Sequence, residues 1–142
     1  MNCFHTLLFK KIKIRKMKHF LTCILALLGL NACGQNFENA DVKEFAELMN
    51  DSNVVVLDVR TADEFNEAHI EGAINIDQFK SDFIERAKQQ LPKDKTIAVY
   101  CRSGRRSAHA AGLLAKEGFH PVNLAGGIIA WTKENMPVTK DK

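Results

Sequence analysis

The chain has 142 residues, 46% hydrophobic and 26% charged, which allows one domain with its own core and suits an ordinary α/β protein. Its formal charge of +3 is carried by the front, where Lys10, Lys11, Lys13, Arg15, Lys16 and Lys18 precede every acidic residue. Beyond residue 32 the balance is 14 cations against 17 anions, so the folded part offers no basic face and nucleic acid is not an expected partner.

Phe20 to Leu30 is an apolar run behind Lys18, too short for a membrane span, which takes roughly 18 or more apolar residues. A positive start, a short apolar middle and small residues after it make residues 1–32 a secretory signal. Met17 followed by Lys18 is an equally good start, so residues 1–16 are read as a possible extension. Leu30-Asn31-Ala32-Cys33-Gly34 resembles the lipobox of bacterial lipoproteins, although Asn31 is less usual within it. That resemblance implies cleavage before Cys33, acylation of its sulfur and its new amino group, and an exported domain held on the periplasmic side of a bacterial membrane. A plain cleaved signal and a short uncut anchor are the alternatives. Cys3 and Cys23 leave with the signal, so Cys101 is the one free thiol expected in the mature protein. Intramolecular disulfides are then excluded, as is a structural zinc site, which needs four Cys or His ligands at paired spacing.

Residues 33–40 read as a lipidated tether, with the domain over 41–142. Asp41 to Met49 is helical by pattern, with Asp41 and Glu44 as a capping box. Val54-Val55-Val56-Leu57 is a β-branched run of the kind buried on both faces of a parallel sheet. Thr61 and Glu64 form a second capping box, opening a short helix that ends near Ala68. Ala73 to Ile76 is a strand, Asp82 to Gln90 a helix stopped by Pro92, and Thr96 to Tyr100 a strand. Arg106 to Glu117 is a helix closed by Gly118, Val122 to Leu124 the last strand, and Ile128 to Glu134 a final turn or two of helix. The alternation specifies an α/β fold with a parallel sheet covered on both faces, in which ligands bind beyond the C-terminal strand ends.

Cys101 stands at such an end, and so does Asp58-Val59-Arg60. The loop Cys101-Arg102-Ser103-Gly104-Arg105-Arg106 runs from strand into helix, an arrangement that aims backbone N–H groups and a helix dipole at one sulfur. From Lys95 to Lys116 there is no acidic residue. A helix terminus alone supplies about 0.3 to 2 kcal/mol, roughly one pKa unit, so converging N–H bonds or arginine charges must supply the rest. Gly104 lets the backbone bend back on the sulfur. Arg105 and Arg106 oppose the dipole of the helix they start, a local rule broken where a site is expected.

Leu57-Asp58-Val59-Arg60, Glu64-Phe65, His69 to Asn75, the loop from Cys101 to Arg106 with Ser107, and Asn123 to Gly127 running to Ala130-Trp131 together resemble a single-domain rhodanese over about Phe37 to Val138. The resemblance implies a five-stranded parallel sheet with helices on both faces and a six-residue loop, Cys101 to Arg106. It implies that Cys101 takes a sulfane sulfur from a small anionic donor such as thiosulfate, becomes a persulfide, and yields the sulfur to cyanide or a thiol. No metal and no organic cofactor is implied, and the domain is expected to be a monomer.

Cys101 is thus the candidate nucleophile. The amides of Arg102, Ser103, Gly104, Arg105 and Arg106 are expected to hold the persulfide or departing sulfite. Arg102 and Arg105 are candidates for recruiting the donor. Arg106 is open to that role or to bracing the loop from behind. Asp58 and Arg60 are candidates for positioning the loop, with Glu64 a candidate partner of Arg60. His69, Ile128 and Trp131 read as scaffold and His109 as solvated or packing. The rivals are a persulfide carrier without turnover and a cysteine phosphatase or arsenate reductase. The latter two resemble a pattern with five residues between Cys and Arg, whereas only four separate Cys101 from Arg106.

Overall fold

A computed structural model describes residues 36–140. Five parallel strands, β1 (Glu38–Ala40), β2 (Val54–Asp58), β3 (Ile74–Asn75), β4 (Thr96–Tyr100) and β5 (His120–Leu124), form one sheet in the order β1-β5-β4-β2-β3. Among the described residues the helices are α1 (Val42–Leu48), α2 (Ala62–Glu67), α3 (Phe83–Gln90), α4 (Arg105–Lys116) and α5 (Gly127–Lys133). The five-stranded α/β architecture is the expected one. Residues 1–32, read as a signal, and Cys33 lie outside the described residues.

Alternation along the central strands builds two cores. Leu57, Val59, Ile97, Val99 and Cys101 pack with Phe83, Ala87, Ala110 and Leu114 of α3 and α4. Val56, Ala98 and Tyr100 point the other way, into a layer with Phe45, Ile128 and Trp131 of α1 and α5. The unbroken apolar run of β2 follows from burial on both faces. Both capping boxes form: Asp41 accepts from the Glu44 N–H at 2.9 Å, and Thr61 from the Glu64 N–H at 3.3 Å.

The tether is the first correction. Glu38–Ala40, read as part of it, is an edge strand in register with Val122–Leu124, so the sheet begins before residue 41. Only Ala40 of its three residues is buried, so no periodicity marks it. Backbone pairing and the Asn123 Nδ2 to Asn39 Oδ1 bond of 2.8 Å hold it instead. β5 also starts earlier than expected, at His120. β1 reaches back only as far as Val122, so Pro121 lies in a row paired with β4 alone.

Candidate active site

β4 delivers Cys101 to the C-terminal edge of the sheet, and α4 starts four residues later. Between them Gly104 takes φ 89° and serves as the N-cap of α4. This left-handed turn brings its N–H to 3.2 Å from Cys101 Sγ. The first turn of α4 then returns Ser107 beneath the sulfur, where its hydroxyl donates to Sγ at 3.3 Å. Cys101 has no exposed surface. Burial pushes its thiol pKa up, but the Ser107 hydroxyl and the N–H groups of Ser107, Ser103 and Gly104 outweigh burial and hold it below the ordinary thiol value. Among the described residues, the hydrogen bonds to Sγ come from Gly104 and Ser107 and not from a histidine.

The outer side of the loop is clamped by α5. Ile128 N–H donates to the Cys101 carbonyl at 2.9 Å, and Ile129 N–H to the Arg102 carbonyl at 3.1 Å. Gly127 makes that contact possible: at φ 59°, a Cβ there would lie 2.5 Å from both carbonyl oxygens. Gly104 meets a similar wall, with a Cβ 3.0 Å from Gly126 N and 3.1 Å from Leu124 O. These carbonyls face α5 while N–H groups of Ser103, Gly104 and Ser107 turn inward to the sulfur.

The three arginines divide. Arg102 and Arg105 are exposed and make no ion pair among the described residues. Arg106 instead grips Glu64 with both ends of its fork, Nη1 to Oε2 at 2.8 Å and Nη2 to Oε1 at 2.6 Å. That bond holds the Glu64 carboxyl down to about 2. The Arg106 guanidinium also lies 5.7 Å from the Phe79 ring centroid.

Arg60 does not pair with Glu64, as its sequence neighbourhood suggested. Its Nη2 lies 2.6 Å from Asp58 Oδ2 and 2.7 Å from the Ala68 carbonyl. The reason is placement. Arg60 is buried at 5% exposure beside fully buried Asp58, whereas Glu64 is already taken by Arg106 at the start of α4. Asp58 sits opposite Tyr100 across β2 and β4, and the Tyr100 hydroxyl accepts from Ile70 N–H at 3.0 Å. Burial first, then Asp58, raise the Tyr100 pKa far above that of an ordinary phenol. Asp58, Arg60 and Tyr100 therefore form a buried polar post under the strand ends, one residue before Cys101. His69 belongs to the scaffold: its Nδ1 is 2.9 Å from the Phe65 carbonyl, and its ring stacks on Phe65. His109 meets Gln78 instead of the sulfur.

Ser107 is the site residue that sequence reasoning left without a role. The signal was present, a hydroxyl at the helical return six residues after the thiol. Among the described residues no cluster of metal-ligating side chains is found.

Fold and loop together define a class: parallel α/β domains that hold a cysteine in an amide-lined turn at a strand end. The model of the rhodanese-like domain matches residues 41–134, and the chain belongs to this family. It is 36% identical over 92 residues to a sulfurtransferase of Allochromatium vinosum, covering 64% of this chain and 83% of that protein. It is 33% identical over 134 residues to a tRNA uridine(34) hydroxylase of Acinetobacter baumannii, covering 91% of this chain but only 41% of that protein. Among solved structures, a rhodanese-related protein of Thermoplasma volcanium aligns with a TM-score of 0.62 at 30% identity, over 74% of this chain and all of that one.

Proposed function

We propose that this domain is a sulfurtransferase that carries a sulfane sulfur on Cys101. The observation that carries this reading is the sulfur's hydrogen-bond shell: N–H and O–H donors converge on a thiol whose acidity they raise. Cys101 as a thiolate attacks the outer sulfur of a donor such as thiosulfate. The donor's S–S bond breaks, sulfite leaves with the electron pair, and the persulfide anion remains under the inward N–H groups. A thiol or cyanide then attacks the outer sulfur and regenerates the Cys101 thiolate. Every step is a two-electron displacement needing no metal and no redox cofactor.

Roles follow from placement. Arg102 and Arg105, exposed on the loop and at the start of α4 and without an ion pair among the described residues, recruit the anionic donor. Arg106, held by Glu64, braces the start of α4, and Asp58 with Arg60 positions the strand end below the loop. A loop with four residues between Cys101 and Arg106 suits a sulfur atom better than a tetrahedral phosphate, and that favours sulfur transfer over phosphatase chemistry. The hydroxylase relatives are more than twice as long as the matched region, and the acidic balance beyond residue 32 supports no RNA surface here. Offering thiosulfate with cyanide, and separately an aryl phosphate, tests the assignment. Thiocyanate release is expected; phosphate release without thiocyanate reverses it. Persulfide loading without turnover would instead mark a carrier.

The anchored, exported location is part of the same proposal and rests on the sequence around Cys33. Incorporation of labelled palmitate into the full chain, lost in Cys33→Ala, is the expected result; a Cys33→Ala protein that stays in the membrane fraction with its label contradicts it.

A further inference from the structure

Asn123 of β5 is a buried amide, 3% exposed. It stands in register with Asn39 of β1 on one side and Val99 of β4 on the other. Its side chain therefore lies on the same face of the sheet as Val99 and Cys101, the face that α4 covers. Nδ2 donates to Asn39 Oδ1 at 2.8 Å and to the Gly104 carbonyl at 3.4 Å. Oδ1 accepts no hydrogen bond among the described residues. A desolvated carbonyl is a cost that a leucine of similar size would not carry, so the donors must account for an amide here.

Those donors act on the residue that shapes the sulfur's turn. Gly104 is the left-handed N-cap of α4, and its own N–H reaches Cys101 Sγ. The end of β5 closes on the same residue through Leu124 and Gly126, which wall the space beside its Cα. We infer that Asn123, steadied by Asn39 of β1, is a positioning residue for the turn that holds the sulfur. Its amide anchors the Gly104 carbonyl, and the turn so fixed keeps the Gly104 N–H on Sγ. The edge strand thereby takes part in the chemistry through side chains outside the sulfur's own hydrogen-bond shell. This positioning serves the sulfur-transfer reading above, but a titration detects it without any sulfur donor.

The test titrates Cys101 in the full-length protein by ultraviolet thiolate absorbance, each variant being read against its own Cys101→Ser counterpart. Asn123→Leu is expected to move the midpoint upward. At a fixed pH below it, the thiolate-to-thiol ratio should fall about threefold, the scale of one neutral hydrogen bond. Asn39→Ala, at an exposed position, should move the midpoint the same way by less. Glu38→Ala, next to it on β1 but on the other face of the sheet, should leave it in place. Arg106, the α4 cation that couples to the sulfur, is untouched in all three. Loading of Asn123→Leu from thiosulfate should slow by the same factor at neutral pH and recover at alkaline pH, where both thiols are ionised. A deficit equal at every pH would mark a damaged loop and overturn the positioning role. So would a midpoint unmoved in both asparagine variants, or one moved as far in Glu38→Ala. If Asn123→Leu does not fold, Asn39→Ala decides alone: a shift upholds the role and its absence overturns it. Wild-type protein that takes up no sulfur overturns sulfur transfer instead, and the titration still decides the positioning.

Discussion

At Cys101 two opposing effects meet, burial that disfavours a charged sulfur and four donor contacts that favour it, and the donors prevail. Removing the Ser107 hydroxyl should tip that balance. Ser107→Ala is expected to raise the thiol pKa, followed by ultraviolet thiolate absorbance, and to slow persulfide formation at neutral pH about tenfold, the scale of a hydrogen bond to a charged group. An unchanged titration would leave the backbone as the only determinant. The depressed pKa also has a sign in stability. Native thiolate is favoured relative to the unfolded chain, so that contribution is present above the unfolded thiol value of 9.0 and is lost as pH falls through the lower native value. Cys101→Ser should fold normally yet lack this alkaline gain in denaturant titrations, and it should transfer no sulfur. Arg102→Ala and Arg105→Ala should raise the KM for thiosulfate with little change in kcat, since each supplies binding charge outside the bond-making centre. What could be read in the sequence at this scale was the identity of the thiol and its cationic surroundings. The Ser103 and Gly104 N–H groups are among the loop amides expected there, whereas Ser107, which supplies both an N–H and the hydroxyl, lies beyond the loop and is brought to the sulfur only by the first turn of α4.

Two elements hold the loop from either side. The start of α5 presses on it from outside through Gly127, and α4 closes it from inside through Gly104. Gly127→Ala would set a methyl group against two carbonyl oxygens at 2.5 Å in a left-handed backbone. A loss of about 1–3 kcal/mol in chemical denaturation is expected, with a matching fall in sulfur loading; wild-type stability and loading would show that the clamp is not needed. The Asp58–Arg60 pair is buried, so Asp58→Asn leaves an uncompensated guanidinium and should cost about 3–5 kcal/mol. The Glu64–Arg106 pair is part-exposed and weaker. Its contribution is present above the usual carboxylate value of 4.5 and is lost as pH falls toward about 2. At this scale the strands, helices and capping boxes were legible because burial on two faces and cap chemistry leave local patterns. β1 was not, since three residues with one buried side chain carry no period. Nor was the partner of Arg60, because Asp58 and Glu64 are both close in sequence and only the fold decides between them.

For the molecule as a whole, the sheet places Cys101, Asp58 and the α5 clamp at one end, so the chemistry is gathered at the edge where parallel strands terminate. The alternation of elements already pointed to an α/β fold with a parallel sheet covered on both faces. What no local pattern contained was the division of labour among three neighbouring arginines, which depends on Glu64 arriving from a helix 42 residues earlier in the chain. The most direct measurement is intact-protein and peptide mass spectrometry after treatment with thiosulfate. One added sulfur atom on the peptide containing Cys101, removed by cyanide and absent in Cys101→Ser, is the expected result. A protein that gains no sulfur under saturating donor, or gains it away from Cys101, contradicts the assignment.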